Sequence, residues 1–181
     1  VHDFAEQLPV RIFMRLVNLP EEDLPKLKYL ADQFTRPDGT IEFSEVERQF
    51  RDYIGPILRE RRGGSGDDML TKMAKAEVNG RPLTDLEAEN LSIQALVGGL
   101  DTVVNLLAYV FSHLAVNDEL RRTLAADPSK LEESMNEFLR RFPVVSDSRE
   151  VRKDVEFGGV TMKARDMVMA STIAIAMNET S

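Results

Sequence analysis

The run from residue 84 to residue 117 constrains this chain more than any other stretch. Leu91, Ile93, Leu96, Val97, Leu100, Val103, Val104, Leu106, Leu107, Val110, Phe111 and Leu114 occupy every side of a helical wheel. The expectation is therefore a core helix wrapped by other elements. Thr84 with Glu87 reads as a capping box at its start, because each side chain can meet the other's backbone N–H. At the usual helical rise, residues 85–116 would span about 48 Å, enough to cross a whole domain. In the middle stands Gly98-Gly99-Leu100-Asp101-Thr102, two poor helix formers followed by an acid and a hydroxyl inside an apolar cylinder. Two readings are open. Either the glycines admit a close helix crossing and Asp101 and Thr102 find buried partners, or the Thr102 hydroxyl bonds the Gly98 carbonyl, opens the backbone ladder and sets Asp101 beside a cavity.

Gln94, Asp101, Thr102, Asn105 and His113 interrupt the apolar run, which argues against a membrane span. A chain of 181 residues with 43% hydrophobic content can form a single domain with a real core. A net charge of -8 argues against nucleic acid as a partner. There is no cysteine, and the two histidines are His2 and His113, so neither a zinc site nor a cysteine nucleophile can be assembled. No serine lies in a G-x-S-x-G elbow, and hydrolase chemistry has no support. Gly63-Gly64-Ser65-Gly66 follows no predicted strand and lacks the phosphate-loop lysine, so it reads as a flexible linker. No signal or transit sequence is read at the start, and a cytoplasmic location is expected.

Apolar periodicity predicts a mainly α chain in two parts, a helical core over 1–143 and a small β region with a short helix over 144–181. Helices are expected at 4–17, ending at Asn18-Leu19-Pro20, and at 21–35, ending at Arg36-Pro37-Asp38-Gly39. Ser44 with Glu47 reads as the cap of a helix to about residue 62. A short helix follows at 67–76, and Val78-Asn79-Gly80-Arg81 carries a hairpin turn signal. Further helices are expected at 118–126 and 129–142, the latter with Glu137 and Arg140 on one face. Past Pro143 come short β-prone pieces at 144–145, 151–157, 160–162 and 167–169, separated by Gly158-Gly159 and by residues 163–166, then a helical tail at 171–177.

A long helix carrying Gly98-Gly99-Leu100-Asp101-Thr102, a helix carrying Glu137-Phe138-Leu139-Arg140 and a strand with Asp147-Ser148-Arg149 follow one another in an order that resembles the cytochrome P-450 haem-thiolate monooxygenases. Thr35-Arg36-Pro37-Asp38-Gly39, Val78-Asn79-Gly80-Arg81-Pro82 and residues 97–105 are most similar to the bacterial camphor 5-monooxygenase type. The resemblance covers the whole chain and implies a central piece of that fold, a single incomplete domain with the helices usually lettered E to K around the long core helix. It implies that Asp101 and Thr102 deliver protons during dioxygen activation and that Gly98 and Gly99 leave room beside the haem. Glu137 and Arg140 would be the structural Glu-x-x-Arg pair, here expected to be buried. Arg149, with Asp147 nearby, would bind a propionate of haem b, and Gln94, Val97 and Val145 would face the substrate. The implied parent enzyme hydroxylates a small apolar, terpenoid-like substrate with dioxygen and two electrons from a ferredoxin-type donor, away from membranes. Two departures from the camphor type are Gln94 for an apolar residue and Ser148 for a glycine. No cysteine is present to ligate the iron, so the piece alone is expected to be inactive. The alternative is a haem-free helical module that binds a partner.

Overall fold

A computed structural model describes residues 4, 5 and 7–177, so His2 lies outside the described residues. It resolves into two compact units, Val1–Asn105 and Leu106–Ser181, which divide within the long helix rather than at Pro143.

In the first unit, α1 (Gln7–Leu16) buries Val10, Phe13 and Met14. Leu8, Ile12 and Leu16 also recur at helical spacing, yet all three are exposed. The helix carries apolar residues on two faces, and only the Val10 face is packed here. Asn18, with φ of 51°, ends it in a left-handed cap: Leu19 N donates to Met14 O and Asn18 N to Arg15 O. The helix expected at 21–35 begins as a 3-10 turn at Glu21–Asp23, and α2 (Leu24–Thr35) follows with Pro25 in its first turn, where no amide hydrogen is needed. α3 (Phe43–Gly63) starts before Ser44. Val46 N already donates to Glu42 O, so Ser44 lies inside the first turn and caps nothing. α3 also continues through Pro56, which periodicity alone did not flag. Asp68 caps the short α4 (Met69–Ala74) by accepting from Thr71 N at 3.1 Å. β1 (Glu77–Val78) and β2 (Arg81–Pro82) form the expected hairpin, whose turn residues Asn79 and Gly80 both have positive φ. The capping box then opens α5 (Asp85–Val116), with Thr84 N donating to Glu87 Oε2 at 2.8 Å.

α2 packs on α3, and α3 on α4. Met14, Leu27, Leu30, Phe50, Ile54, Leu70, Leu96 and Leu100 form the fully buried centre of this unit. The expectation that α5 is wrapped on all sides needs correction. Leu91, Val103 and Phe111 are exposed, so the described elements leave part of the helix uncovered. By length and composition α5 also passes as a possible membrane span, despite the polar residues that interrupt it.

In the second unit, α6 (Asp118–Ala126) and α7 (Leu131–Arg141) enclose a small core of Val110, Leu124 and Phe138. A 3-10 turn at Pro128–Lys130 precedes α7, which therefore starts later than Ser129. β3 (Asp147–Glu150) pairs antiparallel with β6 (Met167–Ala170), and β4 (Val155–Phe157) pairs with β5 (Val160–Met162) around Gly158-Gly159. Residues 144 and 145 are not in a strand. The helical tail is α8 (Thr172–Ala176), capped by Ser171.

Candidate active site

The Thr102 hydroxyl donates to the Gly98 carbonyl at 2.7 Å. α5 runs through this level without a break, so the bond adds a donor to that carbonyl and does not open the ladder. The two glycines then separate by role. A Cβ on Gly98 would meet nothing within 4 Å, whereas one on Gly99 would fall on the ring of Phe13 from α1. Gly99 is thus the close crossing and Gly98 the open position. Gln94, one turn earlier on the same row as Gly98, is exposed. Val97, expected to face substrate, is buried and packs in the main core of this unit.

Asp101 is 8% exposed and is ion-paired with Arg36, which stands at the C-terminal end of α2. Of the two readings of this level, the pairing supports the one in which Asp101 finds a partner. Arg36 also lies 3.3 Å from Asp32, and Asp32 accepts from Lys28 at 2.6 Å. The spacing of Lys28, Asp32 and Arg36 puts them on one row of α2, and alternating charges lead from the rim to the buried carboxylate. Sequence reasoning had placed Arg36 in a turn and missed this role. The usable signal was an i,i+4 series of Lys, Asp and Arg on one helix together with a single acid on an apolar helix.

In the second unit, the bidentate Glu137–Arg140 pair has side chains 55% and 48% exposed. The expected burial is not met, and both side chains stay about half exposed although α8 touches this face of α7. Arg140 instead reaches Ala176 O at 2.5 Å, and its guanidinium holds Glu137 below the usual carboxylate range. Asp147 and Arg149 both point from the exposed strand β3, 3.8 Å apart, and Arg149 donates to Ser148 O at 2.8 Å. Val145 is exposed, with its carbonyl accepting from the Thr172 hydroxyl. His113 is a packed histidine. Its ring meets Phe138 and Phe142 edge-on, and its Nδ1 is 3.3 Å from Asn117 Nδ2. Among the described residues no cluster of His, Cys, Asp and Glu could hold a metal ion.

No family model matches the chain. Cytochrome P450(BM-1) of Priestia megaterium is 28% identical over 99% of this chain and 46% of its own length. Mycinamicin IV hydroxylase/epoxidase of Micromonospora griseorubida is 30% identical over 93% of this chain and 44% of its own. The crystal structure of CYP101J2 superposes with a TM-score of 0.87 at 60% identity, over 99% of this chain and 45% of that one. The chain therefore spans less than half the length of the relatives it matches. Aligned with these proteins over nearly all of its own residues and superposing on a P450 structure, the chain belongs to the cytochrome P450 family.

Proposed function

We propose that the whole protein is a haem-dependent monooxygenase that hydroxylates a small, apolar, terpenoid-like substrate. One oxygen atom enters a C–H bond as the alcohol, and the other leaves as water with two electrons and two protons. A ferredoxin-type donor supplies the electrons, and the enzyme works in the cytoplasm.

The observation that carries this reading is the level of α5 at which an open glycine, a hydroxyl and a buried carboxylate coincide. The residues present fit a haem in part. Gly98 leaves room for a planar group to approach the backbone of the first unit. With no cysteine among the 181 residues, the thiolate ligand must come from elsewhere in the polypeptide. When bound, haem b supplies the two-electron activation of dioxygen.

Thr102 keeps its hydroxyl at a fixed place, because its proton is committed to Gly98 O and its oxygen is left to accept another. Asp101 holds its carboxylate against Arg36, which links it to the charged rim of α2. Together they bring protons to the open side at Gly98 without flooding it with solvent. Gln94, exposed on the same row, would meet a polar group on an otherwise apolar substrate.

The test compares the holoenzyme with the haem-reconstituted 181-residue chain, each reduced under carbon monoxide and then supplied with a terpenoid panel. A thiolate-type Soret band and alcohol products from the holoenzyme alone are expected. A holoenzyme without that band, or one that oxidises none of the panel, contradicts the reading.

A further inference from the structure

The division between the filled and open sides of α5 traces to one residue of α1. Phe13 is buried, and its helix directs it inward with Val10 and Met14. Its ring lies so close to Gly99 that any side chain there would overlap it, while Gly98 has open space. Successive helical residues are about 100° apart, so Gly99 begins the row next to the one that holds Gly98 and Thr102. On that neighbouring row Val103, one turn beyond Gly99, is exposed. The Phe13 ring is therefore where the row beside the Thr102 hydroxyl is closed.

We propose that Phe13 is a positioning residue for proton delivery. Its ring, seated in the Gly99 notch, fixes the rotation of α5 at this level and keeps water from approaching Thr102 from the Gly99 side. Close-packed interiors transmit misfit instead of absorbing it, so a change of one methyl group at this contact should reach the adjacent hydrogen bond. Water admitted there would compete for the Thr102 hydroxyl, and dioxygen would be reduced to hydrogen peroxide rather than spent on substrate. The proposal rests on the reading that Thr102 and Asp101 handle protons.

The experiment uses the holoenzyme and measures alcohol formed per electron pair consumed, hydrogen peroxide released and substrate affinity. It compares Phe13→Leu, Gly99→Ala, the double variant and Thr102→Ala. Phe13→Leu and Gly99→Ala should each lower coupling at least about threefold, with substrate affinity within about twofold of the parent, since small displacements of a catalytic group cost large factors in rate. The smaller leucine side chain makes room for the added methyl, so the double variant should couple better than either single variant, a non-additivity expected only of residues in contact. A ring that served folding alone would lower thermal stability and leave the coupling of the folded enzyme unchanged. Should Gly99→Ala fail to fold, Phe13→Leu and the double variant still decide. If Thr102→Ala uncouples while Phe13→Leu and the double variant match the parent, the Phe13 proposal is overturned and the proton reading stands. If Thr102→Ala itself stays coupled, both fall.

Discussion

Removing Arg36 should destabilise the protein far more than neutralising its partner does. The pair joins an Asp101 side chain 11% exposed to an Arg36 side chain 56% exposed, so the two halves differ in what they leave behind. Arg36→Ala strands a nearly buried carboxylate, whereas Asp101→Asn strands a guanidinium that water and Asp32 still reach. An exposed pair contributes at most about 1 kcal/mol, and breaking a fully buried one from one side costs about 3 to 5 kcal/mol. With one partner half in solvent, Arg36→Ala falls between these limits at about 2 to 3 kcal/mol. Asp101→Asn keeps an acceptor oxygen facing Arg36 and should cost about 1 kcal/mol or less. The assay is urea unfolding of both variants beside the parent, followed by far-ultraviolet circular dichroism at neutral pH. Equal losses from the two substitutions, or a larger one from Asp101→Asn, would refute the claim that the carboxylate depends on Arg36.

Arg61 donates to Val17 O at 2.7 Å, Asn18 O at 2.5 Å and Asp68 Oδ1 at 2.6 Å, tying the end of α1 to the cap of α4. Arg61→Ala should cost about 3 to 5 kcal/mol, and a loss below about 1 kcal/mol in the same unfolding assay would show these bonds to be replaceable by water. Arg140→Ala, in the 181-residue chain, should leave the unfolding midpoint nearly unchanged because its pair with Glu137 is exposed, and a clear fall would restore the buried reading. The Arg81 guanidinium, helped by Thr84, holds the Glu87 carboxylate at about 2 against an ordinary 4.5. A depressed folded value means its stabilisation is complete above pH 4.5 and lost as pH falls towards 2. The melting-temperature gap between parent and Glu87→Gln should accordingly close over that interval, and a gap independent of pH would contradict the charge-based cap.

Features set by a few adjacent residues were legible in the chain. Asn79-Gly80 demanded a tight hairpin because both positions need positive φ, and Thr84 with Glu87 satisfied each other across one turn. Features that depend on distant partners were not. Nothing near Asp101 in sequence announces Arg36, which lies 65 positions away. Gly98 and Gly99 look alike until Phe13 is placed against one of them. Ser44 had the right side chain for a cap but lost to the Glu42 carbonyl, which took the first helical bond. The burial of Glu137 and Arg140 was an inference from family resemblance, and the described residues leave both side chains in solvent.

The central claim is that the hydroxyl at Thr102, on the open side of α5, governs where protons go during oxygen activation. The most direct measurement is the yield of hydroxylated product per electron pair in the holoenzyme for Thr102→Ala and Thr102→Ser. Serine preserves the donor to Gly98 O and should keep coupling near the parent value. Alanine should bind substrate and accept electrons as before while sending most of them to hydrogen peroxide. If alanine couples as well as serine, the hydroxyl has no part in proton delivery and the account of this site is wrong.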